Sequence, residues 1–251
     1  MTKDTKTENI QKYFNGKETF SREELYAFYT KYKPDLKETT FRWIIFNLKK
    51  QQIITSVSRG LFTLSFKPLF KPEPDQSEKK LFSTIEKQFP SLKFCIWSTS
   101  IVSEFMLHLP VKNITILQAE KEALEPIYDF LKEKKFSTIF IQPIEKEIEK
   151  YIFESEKAIV LLPLVSKSPL QNINKVSTTT LEKLIVDLYA DKKIFATYQG
   201  SELAHIVNNA YSRYAIDFTK LFHYAKRRRK DSDLRQFFID KTDVPKNILN
   251  D

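Results

Sequence analysis

The chain has 251 residues, with 41 Lys and Arg against 32 Asp and Glu, a formal net charge of +9 and a hydrophobic fraction of 41%. That balance excludes wholesale disorder and leaves room for one large domain or two smaller ones, each with its own core. Three isolated glycines (Gly16, Gly60, Gly200), one cysteine (Cys95) and three histidines (His108, His205, His223) exclude Gly-rich phosphate loops, an intramolecular disulfide and two-His metal motifs.

Residues 1–70 hold 13 Lys/Arg and 7 Asp/Glu, so most of the positive excess sits at the start of the chain. Residues 1–9 are polar, carry both charge signs and have no apolar secretory core. Residues 7–14 read as a short helix ended by Gly16, and residues 18–20 as a short strand. Ser21 stands three residues before Glu24, the spacing of a capping box, so a helix is expected over about 21–32. Pro34 and Asp35 open a third helix running to about Gln51. Its apolar positions Phe41, Ile44, Ile45 and Leu48 have the i, i+3, i+4, i+7 rhythm of a core-facing stripe. Ile53–Val57 and Leu61–Phe66, on either side of Ser58-Arg59-Gly60, read as a β-hairpin.

Three prolines within Lys67–Asp75 disfavour helix and central strand, which predicts a stiff linker at 71–76. Beyond it the elements alternate. Helices are expected at 77–89, 99–108 and 119–134, and strands at 93–97, 113–118, 137–142 and 158–162. This is an α/β (α+β) pattern. From Ser177 the chain reads as all helical. Thr179 and Glu182 have capping-box spacing, Leu181, Leu184, Ile185 and Leu188 form an apolar face, and further helices follow at about 200–213 and 217–229. The longest apolar stretch, residues 158–165, contains Pro163 and falls short of the roughly 20 residues of a membrane span. A soluble, cytoplasmic chain with no membrane partner, no cofactor and no metal is therefore expected.

Three helices followed by a hairpin in a basic segment is the layout of a winged helix-turn-helix domain. Lys37, Thr39, Thr40 and Arg42 lie near the start of the third helix, where such helices approach base edges. The start of a helix also favours a phosphate. Ser58 and Arg59 at the hairpin tip would meet a neighbouring groove or phosphate. The competing reading is a protein-interaction winged helix whose charges are merely solvated. Trp43, between stripe and polar face, is expected to be partly buried. The densest basic run is Lys226-Arg227-Arg228-Arg229-Lys230. It reads either as a solvated helix end or as a second patch for phosphate or an acidic partner.

Catalytic constellations are weak. Gly200-Ser201 with Asp217 lacks the second carboxylate that a nucleotidyltransferase needs for magnesium. Glu145, Glu147 and Glu149, interleaved with lysines, superficially match a metal-dependent nuclease but sit on an expected exposed helix. His205 and His223 are expected to be hydrogen-bonded packing residues, and Cys95 a core residue. A non-enzymatic chain is expected.

Ser177-Thr178-Thr179-Thr180-Leu181-Glu182-Lys183-Leu184-Ile185-Val186-Asp187-Leu188 resembles a signature helix of the AbiEi-like antitoxins of type IV toxin–antitoxin, or abortive-infection, systems. Tyr198–Leu203 and the segment from Ser212-Arg213-Tyr214 through Tyr224-Ala225 continue that resemblance, as do Trp97–Ser100 and Phe105–His108. The resemblance implies a winged helix-turn-helix domain over 1–70 and an α/β antitoxin domain over 77–251 that ends in helices. It further implies repression of the chain's own promoter through inverted repeats in double-stranded DNA. The implied partner is a cognate nucleotidyltransferase-like toxin. The tail 231–251 has no counterpart in that pattern.

Overall fold

The computed structural model describes residues 9–108, 112–136, 138–152, 155 and 158–249, with only the backbone of Glu149. The chain divides into two compact units. The first is built from the described residues up to Leu69, joined by Arg213–Thr219 and by the segment from Pro245. The second comprises Phe70–Ser212 and Lys220–Val244. Sequence reasoning places a linker at 71–76 and everything after it in a second domain. In the structure Phe70 already belongs to the second unit. Its ring stands 5.5 Å from that of Phe105, and its carbonyl accepts from Gln171 Nε2 at 3.2 Å. Two later segments return to the first unit. The Ala215 N–H donates to the Pro68 carbonyl at 3.0 Å, and Asn247 Nδ2 donates to Thr19 Oγ1 at 2.6 Å.

The first unit runs α1 (9–13), β1 (Phe20–Ser21), α2 (Arg22–Thr30), α3 (Glu38–Lys50), β2 (Thr55–Ser58) and β3 (Leu61–Thr63). Ser21 opens α2 as expected. Its Oγ accepts from the Glu24 N–H at 3.1 Å, and Glu24 Oε2 accepts from the Ser21 N–H at 2.8 Å. The reciprocal pair satisfies two amides that a helix start leaves orphaned. Helix α3 begins at Glu38, later than Pro34-Asp35 suggests, because residues 31–37 form a turn first. Phe41 and Leu48 are buried, while Ile44 and Ile45 are half-buried at the stripe's edge. The three strands pair antiparallel in the order β1-β3-β2. Phe20 and Phe62 face each other in the register, and Phe14 stacks on Phe20 at 4.0 Å. The result is a winged-helix arrangement around an aromatic core.

The second unit is mixed α/β. Helix α4 (Gln76–Gln88) precedes β4 (Phe94–Ser98), and a 3₁₀ segment (Thr99–Phe105) leads to β5 (Thr115–Ala119). A 3₁₀ turn (Lys121–Ala123) enters α5 (Leu124–Glu133), followed by β6 (Ile139–Ile141) and the short α6 (Glu145–Glu147). A π-type turn (Ile148–Ile152) leads to β7 (Ile159–Pro163). The sheet order is β4-β5-β7-β6, with β4 antiparallel to β5 and the other three parallel. Alternation along the strands sends Phe94, Ile96, Leu117 and Leu161 to the core shared with α4 and α5. Cys95, Trp97, Gln118 and Val160 face the opposite side.

The expectation of an all-helical chain from Ser177 is corrected. Strands β8 (Leu170–Ile173) and β9 (Val176–Thr179) form a hairpin. Its two-residue turn, Asn174-Lys175, has positive φ at both positions, 50° and 69°. That is the turn geometry that matches strand twist, but here it carries no glycine to announce it. Helix α7 (Leu181–Ala190) is capped by Thr180, whose Oγ1 accepts from the Lys183 N–H at 3.4 Å, and not by Thr179. Helices α8 (Ser201–Arg213), α9 (Phe218–Arg227), α10 (Asp231–Lys241) and α11 (Lys246–Leu249) complete the chain. The last two occupy the tail, where Leu234, Phe238, Ile248 and Leu249 are buried.

Candidate nucleic-acid interface

Lys37, Thr39, Thr40 and Arg42 are all exposed along the first turns of α3. Lys37 holds the N-cap position and supplies no side-chain cap, so the first amides of α3 have no side-chain acceptor there. Such amides, with the positive end of the helix dipole, favour an anion. Glu38 opposes that preference in part. It pairs with Arg22 Nη2 and accepts from Arg42 Nε at 3.3 Å. The Arg42 side chain remains 74% exposed. An exposed pair of this kind is worth about 0–1 kcal/mol, so Glu38 orients Arg42 without sequestering it. Arg22 is also held by Phe41, its guanidinium 5.0 Å from the ring centroid.

At the wing, Arg59 is exposed and Gly60 adopts φ +74° to turn the chain. Ser58 does not join it. The pairing slips between Ser56 and Ser58, so Val57 and Ser58 both point inward. The Ser58 Oγ is buried and has no hydrogen-bond partner among the described residues. Ser58 is therefore removed from the candidate interface. Trp43 is corrected in the other direction: it is 65% exposed. Phe46, also exposed, lies one turn further along the same face as Thr39 and Arg42. That face sets Arg42 and, further along, Lys50 beside two aromatic rings. A concavity of about 530 Å³ runs beside it, bounded by Phe28, Tyr29, Tyr32, Leu36, Trp43 and Ile44.

The Lys226–Lys230 run splits in two. Arg228 turns inward, its Nη2 2.6 Å from Asp191 Oδ2 and its Nε 3.9 Å from Asp187 Oδ1. It is thus no part of a surface patch. Lys230 lies 3.9 Å from Asp233. Lys226, Arg227 and Arg229 instead line a concavity with Lys167, Lys220 and His223, floored by Pro169 and Tyr224. Lys220, His223 and Arg227 share one face of α9 by i, i+3, i+7 spacing.

Beneath that floor is a polar network that local spacing does not reveal. Lys183 and Asp187, four residues apart on α7, are both fully buried and paired. Gln118 of β5 bridges them: its Oε1 accepts from Lys183 and its Nε2 donates to Asp187 Oδ2 at 3.3 Å. Trp97 Nε1 donates to the same Gln118 Oε1 at 3.4 Å. The Tyr224 hydroxyl donates to Asp187 Oδ1 at 2.8 Å. Burial, then the Asp187 charge, pushes the Tyr224 phenol up. Burial likewise raises Asp191, against the pull of Arg228. Burial would lower Arg228, but Asp187 and Asp191 outweigh it and raise it.

The two sets of catalytic candidates lie on separate elements. Glu145 forms a surface pair with Lys193 at 3.0 Å, and Glu147 accepts from the Ile144 N–H at 2.9 Å. The side chain of Glu149 lies outside the described residues. Asp217 belongs to the first unit, where its charge acts on Lys49, whereas Gly200 and Ser201 belong to the second. His205 and His223 are exposed, contrary to the packing expectation. His108 is exposed near Glu202, at 3.8 Å. Cys95 is fully buried, and burial pushes its thiol up to about 11, far from a reactive thiolate. Among the described residues no group of three His, Cys, Asp or Glu could hold a metal ion. No described helix is long and apolar enough to cross a membrane.

Fold and geometry thus define a mixed α/β chain whose first unit is a winged helix. Residues 40–243 match the model of a family of unknown function, DUF6577, and the chain belongs to that family. The match starts inside α3, so α1, β1 and α2 precede it, whereas most of α3 and the wing fall within it. None of the curated proteins matches the chain.

Proposed function

We propose that the chain is a cytoplasmic DNA-binding transcriptional repressor that serves as the antitoxin of an AbiE-like type IV toxin–antitoxin pair. The observation that carries the DNA-binding half is the first unit's outer face. Lys37, Thr39, Thr40 and Arg42 are solvent-facing at the start of α3, and Arg59 is solvent-facing at the wing turn. In winged helices those two places meet a major groove and the flanking backbone. The antitoxin half rests on the resemblance of Ser177–Leu188 and the segments after it to AbiEi-like antitoxins. The DNA would be the promoter's inverted repeats, and the functional partner a nucleotidyltransferase-like toxin. A gel shift with the chain's own upstream region tests the first half: a retarded, sequence-specific band is expected, and no shift at low salt overturns it. Co-expression with a nucleotidyltransferase-like toxin encoded beside it tests the second: growth rescue is expected, and no rescue overturns it.

One observation favours a second reading. Trp43 and Phe46 stand exposed on the face that would enter the groove, and exposed aromatics are enriched in protein interfaces. In that reading the winged helix docks a protein. Trp43→Ala then abolishes partner capture, while the gel shift with promoter DNA is blank from the outset.

A further inference from the structure

We propose that the concavity between α9 and the 166–169 turn of the second unit binds a compact polyphosphate, the di- or triphosphate of a free nucleotide or of a nucleic-acid 5′ end. The proposal is independent of the winged helix, since every residue it uses lies in the second unit. Five cationic side chains line the hollow: Lys167, Lys220, Lys226, Arg227 and Arg229. His223 joins them, and among the described residues no carboxylate lines it. The volume, about 840 Å³, suits a nucleotide-sized ligand. A helix C-terminus by itself repels anions, yet the end of α9 faces this hollow. The lining cations reverse that sign.

The cations are built in rather than scattered. The Asp187 and Asp191 carboxylates hold Arg228 inward, and the Tyr224 hydroxyl is tied to Asp187. These ties fix the rotation of α9 and leave positions 220, 223, 226 and 227 facing out. Arg227 is braced by a hydrogen bond to Ser166 Oγ. Two lining cations occupy backbone that favours glycine: Lys167 at φ +60° and Arg229 at φ +55°. Arg229 sits where α9 ends in paired bonds, Lys230 N–H to Ala225 O at 2.9 Å and Arg229 N–H to Lys226 O at 3.1 Å. Glycine is the usual residue at that position. Arginine at that position brings a charge to the hollow at a conformational cost that glycine would not carry.

Calorimetric titration of the full-length protein at about 0.15 M salt tests this, with inorganic triphosphate, ATP, adenosine, and one RNA oligonucleotide carrying either a 5′-triphosphate or a 5′-hydroxyl. Triphosphate and ATP are expected to bind one to one, and adenosine not at all. ATP binding without a further gain from the 5′-triphosphate oligonucleotide identifies a free nucleotide as the ligand; preference for that oligonucleotide identifies a strand end. Lys226→Glu with Arg227→Glu should weaken binding at least tenfold. Arg229→Gly should raise the melting temperature and still weaken binding severalfold, a pairing that a merely structural residue does not give. Absence of triphosphate binding, or equal binding by the Lys226/Arg227 double variant, would overturn the proposal.

Discussion

Arg42 and Asp187 show how much a single side chain's surroundings decide. Arg42 is exposed and loosely held by Glu38, so its removal should not unfold the protein. If it pairs with a guanine edge, Arg42→Ala costs about 1–3 kcal/mol of promoter affinity and relaxes specificity at that base. Titrations against base-substituted promoter fragments check this, and unchanged affinity removes Arg42 from the interface. Asp187 is the reverse case. It accepts from Lys183, Gln118 and Tyr224 in a site closed to water. Asp187→Ala strands the Lys183 charge and should cost about 3–5 kcal/mol of stability, measured as the urea midpoint. The sequence made the two residues look alike. Lys183 and Asp187 have the i, i+4 spacing of a solvated helix pair and stand outside the apolar stripe Leu181, Leu184, Ile185, Leu188, so spacing alone would turn them outward. Helix α7 is covered all round, and Gln118 is 65 residues away from Lys183, so no local pattern reports the burial. Trp43 was misjudged for a related reason: an aromatic at the edge of a stripe goes in or out according to what lies above it.

Elements were legible where local chemistry alone sets them. Ser21 and Glu24 cap α2, and Asp75 and Glu78 cap α4 by the same reciprocal bonds. The β8–β9 hairpin was not legible, because Asn174-Lys175 takes a glycine-like geometry without glycine and Val176–Thr179 continues into a helix signature. The wing was found, but its pairing slip at Ser56–Ser58 depends on β3 and is invisible in β2 alone. The cap of α4 also carries a pH prediction. Burial raises the Glu78 carboxyl, against the opposing hydrogen bond from the Asp75 N–H. A carboxyl raised by folding contributes stability below its unfolded pKa and loses it as pH rises through the folded value. Glu78→Gln keeps the acceptor and removes the charge. The variant should melt about 2–4 °C higher than the parent at pH 7, and the gain should vanish near pH 4. A gain of equal size at both pH values contradicts this.

At the scale of the molecule, composition and the break after residue 70 foretold a basic first unit and a mixed α/β second unit. They could not foretell that Arg213–Thr219 and the chain beyond Pro245 fold with the first unit. Those contacts join residues more than 140 positions apart, as Pro68 and Ala215 show, and sequence periodicity carries no such information. A fragment ending at Leu69 should therefore exchange its α3 amides faster than the full chain does, by hydrogen–deuterium exchange; equal rates would show that the returning segments add nothing. In the proposed function the first unit grips a DNA duplex through the start of α3 and the wing. The most direct test is promoter affinity measured across a series of salt concentrations. With about four to six phosphates engaged, log K should fall against log salt with a slope near −4 to −5. A flat line, or no binding at the lowest salt, would contradict it.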